Sequence, residues 1–198
     1  MNFSKNRYLF LFLGFLILSS SVFIYFKDDL VSSPYLLNQK IFLEENKIKD
    51  IGEIEVYFCP KQNCDEKIIS QINSAKKSID IAVYSFTLDS IFDSIKLAQK
   101  RGVRIRVIFD YLQSFNAYSL DENLIEMGVP IMRKKGVSGF GVMHNKFVII
   151  DEEIVLTGSF NYSTNANKNN FENLLFIDNK KIAEKYIVEF NQLWLETN

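Results

Sequence analysis

From residue 53 onward the apolar positions switch between two spacings. Every-second-residue runs predict strands, and three-to-four-residue repeats predict helices. EIEVYF at 53–58 reads as a strand and DEKIISQINSAKKS at 65–78 as a helix. IDIAVYSF at 79–86 is a buried strand, LDSIFDSIKLAQKRG at 88–102 a helix ended by Gly102, and VRIRVIFD at 103–110 a strand. A helix follows at 120–128, ended by Gly128, then a short strand at 129–133 and a Gly-containing loop at 134–141. KFVIID at 146–151 and EIVLTG at 153–158 are strands joined by a turn, ENLLFI at 172–177 is another, and 180–196 forms a closing amphipathic helix. Strands alternating with helices predict one α/β domain over 51–198, a mixed β-sheet flanked by helices.

The pattern ahead of that domain is different. Residues 8–26, YLFLFLGFLILSSSVFIYF, carry no charge and follow Lys5 and Arg7. About 20 apolar residues suffice to span a bilayer, so residues 1–26 predict an uncleaved transmembrane helix. The positive-inside rule then keeps the N-terminus cytoplasmic and puts the domain outside, in the periplasm or beyond the cell. The Ser19–Ser21 triplet leaves a cleaved signal and a secreted enzyme as the alternative. Residues 27–50 lack clean periodicity and contain Pro34, which predicts a linker with a short helix near 41–47.

Hydrophobic residues make up 47% of the 198, enough for a sizeable core. The formal net charge of -1 excludes a strongly basic nucleic-acid binder, so an anionic substrate needs a local cluster of positive groups. Cys59 and Cys64 are the only cysteines. In an exported domain they predict a small disulfide-closed loop, with two free thiols as the alternative. Two cysteines and one histidine make a poor metal set, and no metal or cofactor is expected.

That histidine is His144, in MHNKFVIID. A lone histidine is more often structural than catalytic, so its surroundings decide. Side chains alternate along a strand, which puts His144 and Lys146 on one face and Ser159 and Asn161 on one face of the next strand. A tight hairpin would bring together a nucleophile, a fixed cation and two neutral hydrogen-bonding groups. Such a set suits a phosphodiester. RKKG at 133–136 is a candidate contact for substrate phosphates, whereas Lys100, Arg101, Arg104 and Arg106 read as solvent-facing.

HNKFVIIDEEIVLTGSFN resembles the phospholipase D superfamily signature H-x-K-x4-D-x6-G-S-x-N at His144, Lys146, Asp151, Gly158, Ser159 and Asn161. The resemblance continues through INSAKKSIDIAVYSFT, AQKRGVRIRVIFD and NNFENLLFI and covers about residues 54–196. It is most similar to short members with one signature per chain, of the bacterial endonuclease and mitochondrial-surface types. The resemblance implies the phospholipase D/nuclease fold and catalysis in which one histidine attacks phosphorus and a second protonates the leaving oxygen. It implies that Lys146 and Asn161 hold the phosphate, Ser159 adds a hydrogen bond, and Glu172 bonds the histidine and fixes its tautomer. Asp151 belongs to the same motif, though its place at a strand end reads as structural. One histidine per chain then requires a homodimer sharing one site on its two-fold axis. Metal-independent endonuclease action on DNA or RNA is the first reading and phospholipase D-type lipid hydrolysis the alternative. A membrane-tethered binding module without activity is the third.

Overall fold

A computed structural model describes residues 52–196, and the anchor, linker and short-helix expectations for residues 1–50 lie outside them. The elements run β1 (Glu53–Cys59), α1 (Cys64–Ser74), β2 (Ser78–Val83), α2 (Asp89–Lys100), β3 (Arg104–Asp110), a 3-10 turn (Gln113–Phe115) and α3 (Asp121–Glu126). There follow β4 (Ile131–Lys134), β5 (Lys146–Ile150), β6 (Ile154–Gly158), α4 (Thr164–Lys168), β7 (Glu172–Asp178) and α5 (Lys180–Leu195). The seven strands form one mixed sheet in the order β1-β7-β6-β5-β2-β3-β4. The β2–β3 and β3–β4 pairs are parallel and the others antiparallel.

Every residue of β2 and β5 is buried, because both strands lie inside the sheet with apolar layers on each side. On one face Ile79, Ile81, Val107, Val148 and Ile150 pack with Ile68, Ile72, Ile91 and Ile95 of α1 and α2. On the other, Ala183 and Phe190 of α5 cover Ala82, Ile108, Phe147 and Ile149. Among the described residues no helix is long and apolar enough to cross a membrane.

Three departures from the sequence reading have physical causes. The helix expected to run to residue 78 stops at Ser74, because the Lys76, Lys77 and Ser78 N–H groups donate to the Asp151 carboxylate at 2.9, 2.6 and 2.9 Å. The strand expected to reach residue 86 leaves the sheet after Val83, and Phe86 bridges to Tyr162 instead. Arg106, read as solvent-facing, binds Asp80, which is 3% exposed; Arg104 also reaches Asp80 but stays exposed as expected. Arg106 also lies 4.7 Å from the Phe190 ring centroid, so this cation belongs to the α5 packing.

Asp151 thus closes the far end of the sheet. Partial burial pushes its carboxyl up, but the Ser78, Lys77 and Lys76 N–H donors outweigh this and hold it below the ordinary carboxylate value. Replacing it with Ala should cost about 2 kcal/mol after allowing for solvent screening, and lower the melting midpoint by several degrees. A depressed carboxyl stabilises above its unfolded value and loses that contribution as pH falls through the folded one. The wild type's advantage over Asp151→Asn should therefore begin to shrink as pH falls below roughly 4 and disappear only once the pH is under the lower folded-state value. Equal midpoints at pH 7 would rule out this clamp.

Candidate active site

The parallel strands β2, β3 and β4 end at the same edge of the sheet, and the antiparallel β5 starts there, with Lys146 opposite Val83. Strand β6 ends and β7 begins at that edge too, Gly158 facing Leu174. Hence His144, Lys146, Ser159, Asn161 and Glu172 all reach one open cleft of about 580 Å³. The motif glycine has a steric basis here. A Cβ on Gly158 would run into the Asn173 carbonyl oxygen, which instead accepts the Ser159 N–H at 3.1 Å.

His144 is exposed at the cleft, while Lys146 is 8% exposed behind it. The Lys146 ammonium donates to the His144 carbonyl at 2.8 Å. Burial pushes Lys146 below an ordinary lysine, and the charges of Glu172 and Asp110 restore only part of the difference. Asn161 accepts the Ser85 N–H through Oδ1 at 3.3 Å, which leaves its amide NH₂ for an anion. Ser159 donates to Glu172 and accepts the Asn173 N–H at 3.1 Å.

One partner differs from the sequence reading. The Glu172 carboxylate is engaged by Ser159 and, at 3.0 Å, by the Asn170 amide rather than by His144. Asp151, grouped with the others by the motif but read as structural from its strand end, lies five residues along from Lys146, about 16 Å at the usual strand rise, and so stands apart from the cleft. The RKKG segment also divides. Arg133 pairs with Asp121 and Glu122, Lys134 is buried, and only Lys135 reaches the cleft-side loop surface, 4.5 Å from the Tyr111 ring centroid. Cys59 and Cys64 join the end of β1 to the start of α1 through a disulfide, with Cα atoms 5.8 Å apart.

The sequence reading missed Tyr84 and Asp110. The Tyr84 ring meets the His144 ring edge-on, centroids 4.7 Å apart, and lies 5.0 Å from the Lys146 ammonium. Asp110, 1% exposed, accepts the Leu112 and Gln113 N–H groups through Oδ1 and the Met143 N–H through Oδ2, each at 3.0 Å. It ties the loop after β3 to the segment carrying His144. Both residues sit at carboxyl ends of parallel strands, the edge where α/β sheets place ligands, and that position was the available signal.

The sheet and the hairpin thus bring one histidine, one buried lysine and two neutral hydrogen-bonding side chains to a single cleft. The chain matches the family model described as "Cardiolipin synthase, PLD-like domain" over residues 68–194, and it belongs to the phospholipase D superfamily. Its domain is a hydrolase of phosphodiesters. It is similar to a protein of Rickettsia prowazekii named phospholipase D, 34% identical over 140 residues, 69% of this chain and 65% of that one. A Xenopus tropicalis protein named mitochondrial cardiolipin hydrolase is 33% identical over 141 residues, 70% of this chain and 66% of its own length. The match thus spans just under two thirds of these two relatives. Among solved structures, NucT from Helicobacter pylori superposes with a TM-score of 0.69 at 32% identity, covering 72% of this chain and 95% of that one.

Proposed function

We propose that the domain hydrolyses a phosphodiester through a covalent phosphohistidine, in a site completed by a second copy of the chain. One observation carries this reading. The cleft gathers His144, Lys146, Ser159 and Asn161, yet His144 is the only histidine in the chain, and the two-histidine reaction needs a proton donor as well. In the first step the His144 imidazole bonds to phosphorus while the phosphorus–oxygen bond to the leaving alcohol breaks. The departing oxygen takes a proton from the partner's His144. That imidazole, now neutral, then takes a proton from water. The resulting hydroxide displaces His144, the phosphorus–nitrogen bond breaks, and a phosphomonoester leaves. Lys146 and the Asn161 amide hold the non-bridging oxygens throughout. The pair, not either imidazole alone, sets a bell-shaped pH profile, since one must be neutral while its twin is protonated.

Phospholipid stands ahead of nucleic acid as substrate, which reverses the order from sequence alone. The segments at residues 84–88, 111–120, 135–145 and 159–171, which join the strand ends at this edge, carry Lys135 and Lys168 as their only Lys or Arg. Sequence-independent nucleic-acid binding takes several phosphate-neutralising cations. The names of the Rickettsia and Xenopus relatives support the same order. Nucleic acid is the second reading, favoured by exposed aromatic side chains able to stack on unpaired bases.

The test is to incubate the full-length chain with phospholipid vesicles, single- and double-stranded DNA, and RNA in excess chelator. Headgroup release should proceed undiminished, because Lys146 and the paired imidazoles provide the positive charge. Activity lost to chelator and restored by magnesium would defeat the mechanism. Cleavage of nucleic acid with no action on lipid would reverse the substrate order.

A further inference from the structure

The four loops that join the strand ends at the cleft's edge of the sheet contain no Asp or Glu at all, in a chain with 24 of them. Apolar side chains stand out from three of these loops. Val137 and Phe140 are each 105% exposed, Phe171 95% and Phe115 69%. An isolated exposed apolar residue needs no explanation, but several gathered around one opening mark an interaction surface. The loops are also held in place. Asp110 fixes the backbone at Leu112, Gln113 and Met143, and the Gln113 amide donates at 3.1 Å to the hydroxyl of Tyr84, the ring that touches His144. The rim and the nucleophile are therefore parts of one packed unit.

We propose that this rim is a membrane-docking surface. Val137, Phe140, Phe115 and Leu112 enter the headgroup–acyl boundary of a phospholipid bilayer, and the cleft opens onto the headgroups between them. The inference rests on the phospholipid reading. Three features select a bilayer as the occupant. Glu189 and Glu196 line the pocket that Val137 shares with His144, but the loop tips themselves carry Lys135 and Lys168 and no acid, so the tips meet anionic lipid with a mild attraction. Aromatic and aliphatic tips beside lysines are the composition that settles at a membrane interface. The chain's reach also allows it. Gly52 precedes the end of β1 farthest from the cleft, and the residues between Phe26 and Gly52 can extend to roughly 80 Å. A domain of this size is only about 40 Å across, so the apolar run at 8–26 and the rim can engage one membrane together.

The full-length chain, reconstituted into vesicles of phosphatidylcholine and phosphatidylglycerol, provides the test. Wild type is compared with the doubles Val137→Ser/Phe140→Ser and Leu112→Ser/Phe115→Ser on two substrates, the long-chain lipid of the vesicles and a short-chain phospholipid dissolved as monomers. Each double should lose about tenfold or more on bilayer lipid while staying within about twofold on monomers, since only interfacial burial is removed. In a Phe140→Trp chain, brominated lipid should quench the added indole fluorescence above the Trp194 background. Wild-type rates on bilayer lipid in both doubles, with the added indole unquenched, would overturn the docking inference and leave the phospholipid reading standing. Wild type acting on neither form of lipid would overturn that reading itself. Doubles that sediment as monomers would make the rim a contact between copies, which also defeats docking. Loss confined to single-stranded DNA cleavage would make it a base-stacking platform, with the same consequence.

Discussion

Mixing a His144→Ala chain with an equal amount of wild type should depress activity further than dilution does. Random pairing leaves about a quarter of the dimers with two histidines, so the mixture should show about a quarter of the activity of the same total of wild type. Independent monomers would give about a half. The His144→Ala chain alone should lose three or more orders of magnitude, because it removes nucleophile and proton donor together. Folding should be nearly unaffected, since His144 is exposed and its ring contact is one edge-on meeting with Tyr84. The mixture must be unfolded and refolded, or coexpressed, so that subunits exchange. Activity at one half in a mixture shown to contain mixed dimers would mean that one histidine suffices. The proton donor would then lie within the chain, and Glu172 is the carboxyl group that lines the cleft.

The core and the hairpin were legible because their signals are local. The every-second-residue pattern of β1, the unbroken apolar run of β5 and the helical spacing of α2 each name their own element. Motif spacing likewise placed His144, Lys146, Ser159 and Asn161 at one edge, because a short hairpin fixes register. What stayed hidden depends on partners far apart in the chain. The end of α1 is set by Asp151, more than seventy residues away. Arg106 looks like a solvated strand residue until Asp80 and the α5 aromatics close around it. Tyr84 and Asp110 lie outside the signature, and nothing in their own segments says which loops they join. Glu172 was placed in the right cleft with the wrong partner. Its two hydrogen-bonding neighbours, Ser159 and Asn170, were side chains that spacing alone could not choose between.

Replacing Lys146 with Met should separate stability from activity. The ammonium is held in a site where it is 8% exposed, and its hydrogen-bond acceptor is the neutral His144 carbonyl. Burial lowers its pKa, which means that folding disfavours the charged form. For a lysine shifted in this direction the sign is adverse at neutral pH. The penalty is present below the folded-state value and is relieved only as pH rises towards the unfolded value, ordinarily about 10.4. Methionine keeps much of the stem's volume and removes the charge, so the variant's melting midpoint should equal or exceed that of wild type at pH 7. Turnover should move the other way. The site loses the cation that meets the growing negative charge on the non-bridging oxygens, an interaction worth roughly 10²–10³ in kcat where one preorganised donor is lost. KM should change less, because the lysine acts most strongly on the pentacoordinate state. Thermal melts and steady-state rates on one preparation check both halves. A variant that melts well below wild type would make Lys146 a structural residue. One that keeps its kcat would take the phosphate-binding role away from it.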